Sequence, residues 1–177
     1  MTEPTTTGDS RTQWVVAGVL TAVVVALAVA LFAFVLPDRS HRTHHTSGAI
    51  TASEQRAMDA ASQEVANILT YSRATFDKDY ARTNAGATGP LASDLAKQKA
   101  TILSQMTSGK FDLQGTVTAT AFEQQTGSVA LILVSAQGYK IPDGAQKTLT
   151  STARFEVTMS DVNGKWLASD LQSVGLV

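Results

Sequence analysis

The first long apolar stretch of the chain runs from Trp14 to Leu36 and carries no charged side chain. As an α-helix rising about 1.5 Å per residue, it would span about 35 Å, which is enough to cross a hydrocarbon core of about 30 Å. Pro37 follows directly, and proline disfavours continuation of a helix. The pattern therefore predicts a transmembrane helix over residues 14–36.

A cleaved signal peptide is the alternative interpretation of this stretch. Such peptides combine a basic leader, an apolar run of about 7–15 residues and a small-residue cleavage site. Residues 1–13 instead carry Glu3, Asp9 and a single Arg11, and the apolar run that follows is longer. We therefore interpret residues 14–36 as a retained anchor.

Small residues recur at every fourth position of the predicted anchor, at Gly18, Ala22, Ala26 and Ala30. In a helix these residues form one ridge, where a second helix can approach closely. They are therefore candidates for a helix–helix contact. The alternative interpretation is that the segment is simply rich in alanine, since further alanines lie off this ridge.

Polar segments flank the predicted anchor. Residues 1–13 lack apolar periodicity and are predicted to form a disordered tail. Residues 37–50 are predicted to form a polar linker, which contains His41, His44 and His45. Three histidines can bind a transition metal, but the linker offers neither a rigid element nor a carboxylate beyond Asp38, so we expect no metal site.

The rest of the chain, residues 51–177, has room for one compact domain.

The domain begins with amphipathic helices. Thr51 and Glu54 have the spacing of a capping box, which predicts a helix start. A helical stripe follows, consisting of Met58, Ala61, Val65, Ile68, Leu69, Ser72 and Phe76. Residues 76–80 are predicted to form a short second helix, and the segment Asn84–Pro90 is predicted to break it.

A third helix is predicted over residues 91–107, ending at a C-cap near Ser108-Gly109. Its predicted buried side chains are Leu91, Leu95, Ile102, Leu103 and Met106. Beyond this helix the hydrophobic period changes from about 3.6 residues to two, which indicates strands.

Four strands are predicted in succession. The first covers residues 112–122, with Thr116, Thr118 and Thr120 on a solvated face and Val117, Ala119 and Ala121 on the other face. Residues 129–134 are apolar at every position, which is typical of a central strand. Residues 149–159 alternate strictly, and Asn163-Gly164 predicts a tight turn into a final strand over residues 165–171. Helices followed by a four-stranded meander predict an α+β fold, with about three helices packed on an antiparallel sheet.

Charge and composition exclude several classes of function. Lys and Arg number 14 against 15 Asp and Glu, so the chain lacks the basic surplus typical of nucleic-acid binding. It contains no cysteine, which excludes disulfides and thiolate chemistry. Its last histidine is His45, so a Ser-His-Asp triad cannot form in the predicted domain, and no phosphate-binding glycine motif is present. We expect no cofactor.

Three segments together resemble a known family. They are the run from Leu69 to Asp79 (LTYSRATFDKD), the Thr88-Gly89 loop and the terminal run from Gly164 to Leu171 (GKWLASDL). With the preceding span and linker, the chain resembles the Mce-associated membrane proteins of mycobacteria. It departs from their usual pattern at Phe76, where the family commonly has leucine, and at Pro90, where an aromatic residue is common. The resemblance implies an NTF2-like, VirB8-like cone.

The resemblance also implies a function and a location. It implies a non-catalytic accessory subunit that stabilises an Mce-type complex importing fatty acids or sterols. Its partners would be permease or Mce subunits and membrane lipids. It further implies a single-pass protein of the inner (plasma) membrane, with a cytoplasmic N-terminus and a periplasmic domain. The arginines flanking the anchor, Arg11 on one side against Arg39 and Arg42 on the other, favour the opposite orientation by a small margin.

An alternative function remains open because NTF2-like folds also host enzymes and ligand carriers. Catalysis there would require an acid or base in an apolar cavity, and the candidates are Tyr71, Asp77, Asp79, Tyr80 and Asp170. Asp77 and Asp79 are two residues apart on a helix, so they are expected to point in different directions. We interpret the tyrosines as core-edge residues with solvated hydroxyls, and Asp170 as a strand-end charge. Phe155 and Trp166 could line a pocket, although a core role is favoured.

Overall fold

The computed structural model describes residues 49–176. The predicted tail, the predicted anchor with its ridge of Gly18, Ala22, Ala26 and Ala30, and linker residues 37–48 lie outside the described residues. Within residues 49–176, no helix is both long enough and apolar enough to span a bilayer. Three helices precede four strands in this part of the chain, which confirms the predicted α+β architecture.

The helices are α1 (Ala52–Ile68), α2 (Phe76–Gly86) and α3 (Gly89–Gly109). The predicted capping box at the start of α1 is confirmed. The backbone N–H of Glu54 donates to Thr51 Oγ1 at 3.2 Å, and the backbone N–H of Thr51 donates to Glu54 Oε2 at 2.7 Å. These bonds satisfy two donors that lack partners in a first helical turn.

Helix α2 is longer than predicted, because the expected breaker segment begins inside it. Asn84 and Gly86 are still helical, and α3 starts at Gly89 with Pro90 in its first turn. Proline is tolerated there because first-turn N–H groups have no helical partner. The break therefore shrinks to a short link, in which the backbone N–H of Thr88 donates to Ala168 O at 2.8 Å.

One prediction about α3 was wrong. Leu103 is 36% exposed, because it lies on the outer side of the helix, whereas Met106 is buried. The helix ends at Gly109, as predicted, and its left-handed C-cap is the next residue, Lys110, with φ of 52°. Gly109 has a different role, since an added Cβ would lie 2.4 Å from Cε1 of Phe111. The glycine thus permits close approach of that ring.

The strands are β1 (Phe111–Thr126), β2 (Val129–Pro142), β3 (Thr148–Val162) and β4 (Lys165–Leu176). They form one antiparallel sheet in chain order, so β2 is central as predicted. The predicted turn is confirmed, because Asn163 and Gly164 both have positive φ, of 56° and 83°. This conformation is the one favoured in two-residue hairpin turns.

A bulge in β1 reverses part of the predicted facing. The register slips between Val117 and Ala119, which leaves an extra residue in β1. One extra residue moves the side chains that follow it to the other face, up to a second extra residue between Phe122 and Gln124. As a result Ala119 and Ala121 are exposed, while Thr120 turns inward and bonds Ser62 Oγ of α1 at 3.0 Å. The prediction that Thr120 lies on the solvated face was therefore wrong.

The core lies between the helices and one face of the sheet. It is built by apolar side chains of α1, α3 and the strands, including Ala61, Val65, Leu91, Ile132, Val134, Val157 and Met159. A second, smaller cluster contains Tyr71, Phe76, Met106 and Phe111. Both clusters border the segment between α1 and α2, and this segment holds the polar groups described next.

Candidate functional site

The connection between α1 and α2 is fixed to β1 by backbone pairing. Tyr71 and Leu113 exchange two hydrogen bonds, of 3.1 Å and 2.8 Å. Next to them the backbone N–H of Gly115 donates to Thr70 Oγ1 at 3.0 Å. Gly115 also leaves room for Leu69, whose Cβ would lie 2.3 Å from an added Cβ. A single antiparallel bridge therefore holds the connection against the outer edge of β1.

Arg73 links this connection to two other elements. Its backbone N–H and its Nε both donate to Asp112 Oδ1, at 2.9 Å and 3.0 Å. Its guanidinium also forms a bidentate pair with Asp143, in the β2–β3 loop. We call Arg73, Asp112 and Asp143 the arginine clamp. Partial burial of Asp112 opposes ionisation, but the bonds from Arg73 outweigh it and lower the pKa of that carboxyl. The pKa of Asp143 is lowered chiefly by its bonds from Arg73.

Asp79 organises the start of α2 from within. Its carboxylate accepts hydrogen bonds from the backbone N–H of Ser72 at 3.0 Å, Thr75 Oγ1 at 2.8 Å and Arg82 Nη1 at 2.9 Å. Burial alone would raise its pKa, but these three donors together lower it. Arg82 continues the chain of contacts, because its Nε donates to Asn67 Oδ1 of α1 at 3.1 Å.

Glu64 is a carboxyl group buried between α1 and α2, with 2% of its surface exposed. Oε2 accepts a long bond of 3.4 Å from Asn67 Nδ2, while Oε1 has no hydrogen-bond partner. The carboxyl occupies the space beside Gly86, where an added Cβ would lie 1.9 Å from Oε2. Burial raises the pKa of Glu64 to about 7, although Asn67, Lys165 and Arg82 act in the opposite direction. The group therefore exchanges its proton near neutral pH.

Tyr71 is the second buried polar group without a partner. It is 2% exposed, and its ring lies 5.5 Å from that of Phe76 between centroids. Its hydroxyl has no hydrogen-bond partner, so the prediction of a solvated hydroxyl was wrong for this residue. Burial raises the pKa of Tyr71 to about 12. Thr83 is fully buried nearby, and its Oγ1 donates to Asp79 O at 3.1 Å. We call Glu64, Asn67, Tyr71, Asp79, Arg82 and Thr83 the polar cluster.

The remaining candidates for acid–base chemistry do not join this cluster. Asp77 points to α3, where its Oδ1 lies 2.8 Å from Lys99 Nζ, so the predicted divergence from Asp79 is confirmed. The same ammonium lies 4.7 Å from the ring centre of Tyr80. Asp170 accepts a bond from Gln172 within β4. The five candidates are therefore divided among separate surroundings.

Phe155 and Trp166 both lie in the main core. Trp166 is 6% exposed, and Phe155 packs against the buried residues of the same cluster. A surface pocket of about 280 Å³ lies elsewhere, at the start of α2, and is lined by Arg73, Ala74, Thr75, Phe76, Asp77, Lys78 and Leu103. The pocket-lining role of Phe155 and Trp166 stays a prediction.

The sequence interpretation missed Glu64, although a signal was present. Glu64 lies three residues after Ala61 and four before Ile68, which places it beside the buried stripe of α1. A carboxylate at such a position requires a polar surrounding inside the fold. The arginine clamp had no comparable signal, because its three members come from distant parts of the chain.

The polar cluster can hold and release a proton, but it contains few groups for other chemistry. Of its buried side-chain atoms, Glu64 Oε1 and Tyr71 OH lack partners, and the other groups bond one another. Within residues 49–176, no group of three or more His, Cys, Asp or Glu side chains could hold a metal ion.

The three-helix, four-stranded architecture is that of VirB8-like and NTF2-like domains. The periplasmic fragment of TraM superposes with a TM-score of 0.58 and 16% identity, over 70% of this chain and 98% of that structure. VirB8 of Agrobacterium tumefaciens superposes with a TM-score of 0.56 and 14% identity, over 74% of this chain and 97% of that structure. An IcmL-like type IV secretion system protein of Legionella pneumophila superposes with a TM-score of 0.58 and 8% identity, over 73% of this chain and 96% of that structure.

Sequence comparison shows the family. The profile of the family described as uncharacterized protein Rv1363c/MT1408-like matches residues 15–175, so the chain belongs to this family. No curated protein matches the sequence. The family match includes residues of the predicted anchor as well as the whole folded domain.

Proposed function

We propose that this protein is a membrane-anchored accessory subunit that acts through contacts with other envelope proteins and not by catalysis. Residues 14–36 form its single transmembrane helix, with the N-terminus in the cytoplasm and the VirB8-like domain in the periplasm. Its partners are the permease or Mce subunits of a complex that imports fatty acids or sterols. The observation that carries the proposal is the fold, which is shared with a TraM fragment described as periplasmic and with a type IV secretion system protein.

The polar cluster supports a non-catalytic role. Asp79, the most thoroughly bonded carboxylate of the cluster, has three donors from the chain itself. The missing Cβ of Gly86 makes room for the Glu64 carboxyl and not for a ligand. Groups arranged in this way specify how α1, α2 and β1 pack.

Affinity purification from native membranes tests the proposal. A tagged full-length chain is extracted in a mild detergent, and we expect Mce or permease subunits to be recovered with it. A tagged chain consisting of residues 1–50 is the matched control, and it should recover fewer of these subunits because it lacks the domain. Recovery of no such subunit, although the full chain is intact in the membrane, would refute the proposed assembly.

Cysteine labelling tests the orientation, since the natural chain contains no cysteine. Ala145 is exposed in the β2–β3 loop, so Ala145→Cys should react with a membrane-impermeant maleimide in cells whose outer barrier has been opened. Thr6→Cys should react only after lysis. Val157→Cys, at a fully buried position, controls for unfolding. Labelling of the two exposed sites in the reverse order would overturn the proposed orientation.

A second candidate function is a carrier of a small apolar molecule, or an enzyme, that uses the interior of the cone. The observation in its favour is the pair of buried polar atoms without partners, Glu64 Oε1 and Tyr71 OH. Native mass spectrometry of the full chain after incubation with a fatty acid or a sterol separates the two functions. A carrier would retain one ligand per chain and lose it on Tyr71→Phe, whereas an accessory subunit would retain none.

A further inference from the structure

Two hairpin turns lie side by side at one end of the domain. The β1–β2 turn contains Gly127 and Ser128, and the β3–β4 turn contains Asn163 and Gly164. The backbone N–H of Asp161 donates to Ser128 O at 2.7 Å, which joins the two turns. We call this region, together with the start of α1, the turn end.

Helix α1 starts at the turn end because it runs antiparallel to β1. Leu69 packs on Gly115, and Ser62 bonds Thr120, so earlier residues of the helix lie beside later residues of β1. At about 1.5 Å per helical residue, Thr51 is about 16 Å beyond Ser62. At about 3.3 Å per strand residue, Thr126 is about 20 Å beyond Thr120. The described chain therefore enters the domain beside the two turns.

Exposed apolar side chains occupy both layers of the turn end. Ile50 is 50% exposed where the chain enters, and Val129 and Val162 are 43% and 41% exposed in the sheet layer. Val129 pairs with Ser160, so Val162 lies diagonally beside Val129 on the same face of the sheet. Val129 and Val162 form an apolar pair on the sheet face that points away from the helices, and Ile50 is exposed in the helical layer at the same end. We call these three side chains the apolar rim.

A short segment connects the start of the described domain to the predicted anchor. Residues 37–48 are twelve in number and span at most about 40 Å when fully extended. The tether raises the local concentration of a membrane surface at the part of the domain nearest to it. Apolar contacts with the membrane surface that are too weak to bind a free domain can then form.

We propose that the turn end contacts the surface of the lipid bilayer, with Ile50, Val129 and Val162 inserted at the boundary between headgroups and acyl chains. The inference rests on the proposed function, because it requires residues 14–36 to be in a membrane. Charges of both signs occur in the chain segments of this end, namely Glu54 and Arg56 in α1, Glu123 in β1, Asp161 in β3 and Lys165 in β4. The contact therefore depends on apolar insertion and needs no anionic lipid.

Depth-dependent quenching in vesicles tests the contact with the full chain. Ser128→Cys is labelled with an environment-sensitive fluorophore, and the protein is reconstituted in phosphatidylcholine vesicles that contain a nitroxide lipid labelled near the headgroup. We expect at least half of the fluorescence to be quenched. A label at Ala145→Cys, in the β2–β3 loop at the other end of the sheet, should lose less than a tenth.

Substitutions separate insertion from simple proximity. The double change Val129→Asp with Val162→Asp should reduce quenching of the label at position 128 at least twofold. Leu149→Asp is the matched control, because Leu149 is equally apolar and 50% exposed but lies at the other end of β3. It should leave the quenching unchanged.

Two results would overturn the inference in distinguishable ways. Equal quenching at positions 128 and 145 in protein that resists alkaline extraction would refute the contact and leave the anchor intact. Protein that is removed from the vesicles by alkaline extraction would refute the anchor, and with it both proposals.

Discussion

Replacing Glu64 with glutamine should stabilise the domain at alkaline pH and leave it nearly unchanged at acid pH. The carboxyl is 2% exposed and has one oxygen without a partner, so its charged form is disfavoured in the folded state. Glutamine retains the shape but carries no charge. The part of the stability difference that changes with pH therefore reports the cost of ionising a buried group.

The size of the effect follows from the pKa of the group. Burial raises the pKa of Glu64 from 4.5 to about 7. At about 1.4 kcal/mol per pKa unit, the difference is worth about 3 kcal/mol. Lys165 and Arg82 oppose this rise, and their effect is already contained in it.

The direction of the pH dependence is fixed by linkage. Because the pKa of Glu64 is higher in the folded state, the folded state binds the proton more tightly than the unfolded chain. The stabilisation is complete below about pH 4.5, and it is lost as the pH rises through about 7. The free energy of unfolding of the wild type should therefore fall by up to about 3 kcal/mol between pH 5 and 8, whereas that of Glu64→Gln should not show this fall.

Urea unfolding of the full chain in mild detergent measures this difference. Trp166 reports on the core, and Trp14→Phe removes the other tryptophan of the sequence. Glu123→Gln is the matched control, because Glu123 is exposed on β1 and its change should stay within about 0.5 kcal/mol at both pH values. If Glu64→Gln gave the same small change as this control at pH 5 and at pH 8, the inference of a buried, proton-binding carboxyl would be refuted.

Three further predictions concern local contacts. Gly86→Ala should lower the free energy of unfolding by about 2 kcal/mol, because its Cβ would collide with Glu64 Oε2. In a double-mutant cycle, Glu64→Ala should relieve part of this cost. Strict additivity of the two changes would argue against the collision. Asp79→Asn should lower the free energy of unfolding by about 2 kcal/mol at pH 7, because it loses a charge-assisted bond to Arg82. Folding lowers the pKa of Asp79, so the stabilisation by its carboxylate is present above about pH 4 and is lost as the pH falls through the folded pKa. The difference in stability between wild type and variant, measured by urea unfolding, should therefore narrow at pH 3. Lys110→Gly should stabilise by up to about 1 kcal/mol in the same assay, because it relieves a left-handed backbone at the end of α3, whereas destabilisation would show that the lysine side chain matters more than its backbone.

Features with a local cause were the ones that the sequence predicted. The capping box of Thr51 and Glu54 requires two side chains three residues apart, and the Asn163-Gly164 turn requires two residues that accept positive φ. The four-stranded meander follows from short turns between alternating segments. Each of these signals lies within a few residues of the structure that it specifies.

Features that depend on distant residues were missed or wrong. The bulge after Val117 depends on how β1 pairs with β2, so the alternation of residues 112–122 alone could not reveal it. The close approach of Gly86 in α2 to the Glu64 carboxyl of α1 joins two residues that are 22 positions apart in the sequence. The arginine clamp joins three segments that are distant from one another in the sequence. The candidate site was therefore less predictable than the fold around it.

The order of the strands has a consequence for how the chain reaches its native state. Each strand pairs with its immediate neighbour in sequence, so the sheet can form by successive hairpin closures. Such local pairing keeps the contact order of the sheet low, which favours rapid folding. The slow step should be the docking of the helical layer, because the Tyr71–Leu113 pairing must close a long loop that contains α2 and α3.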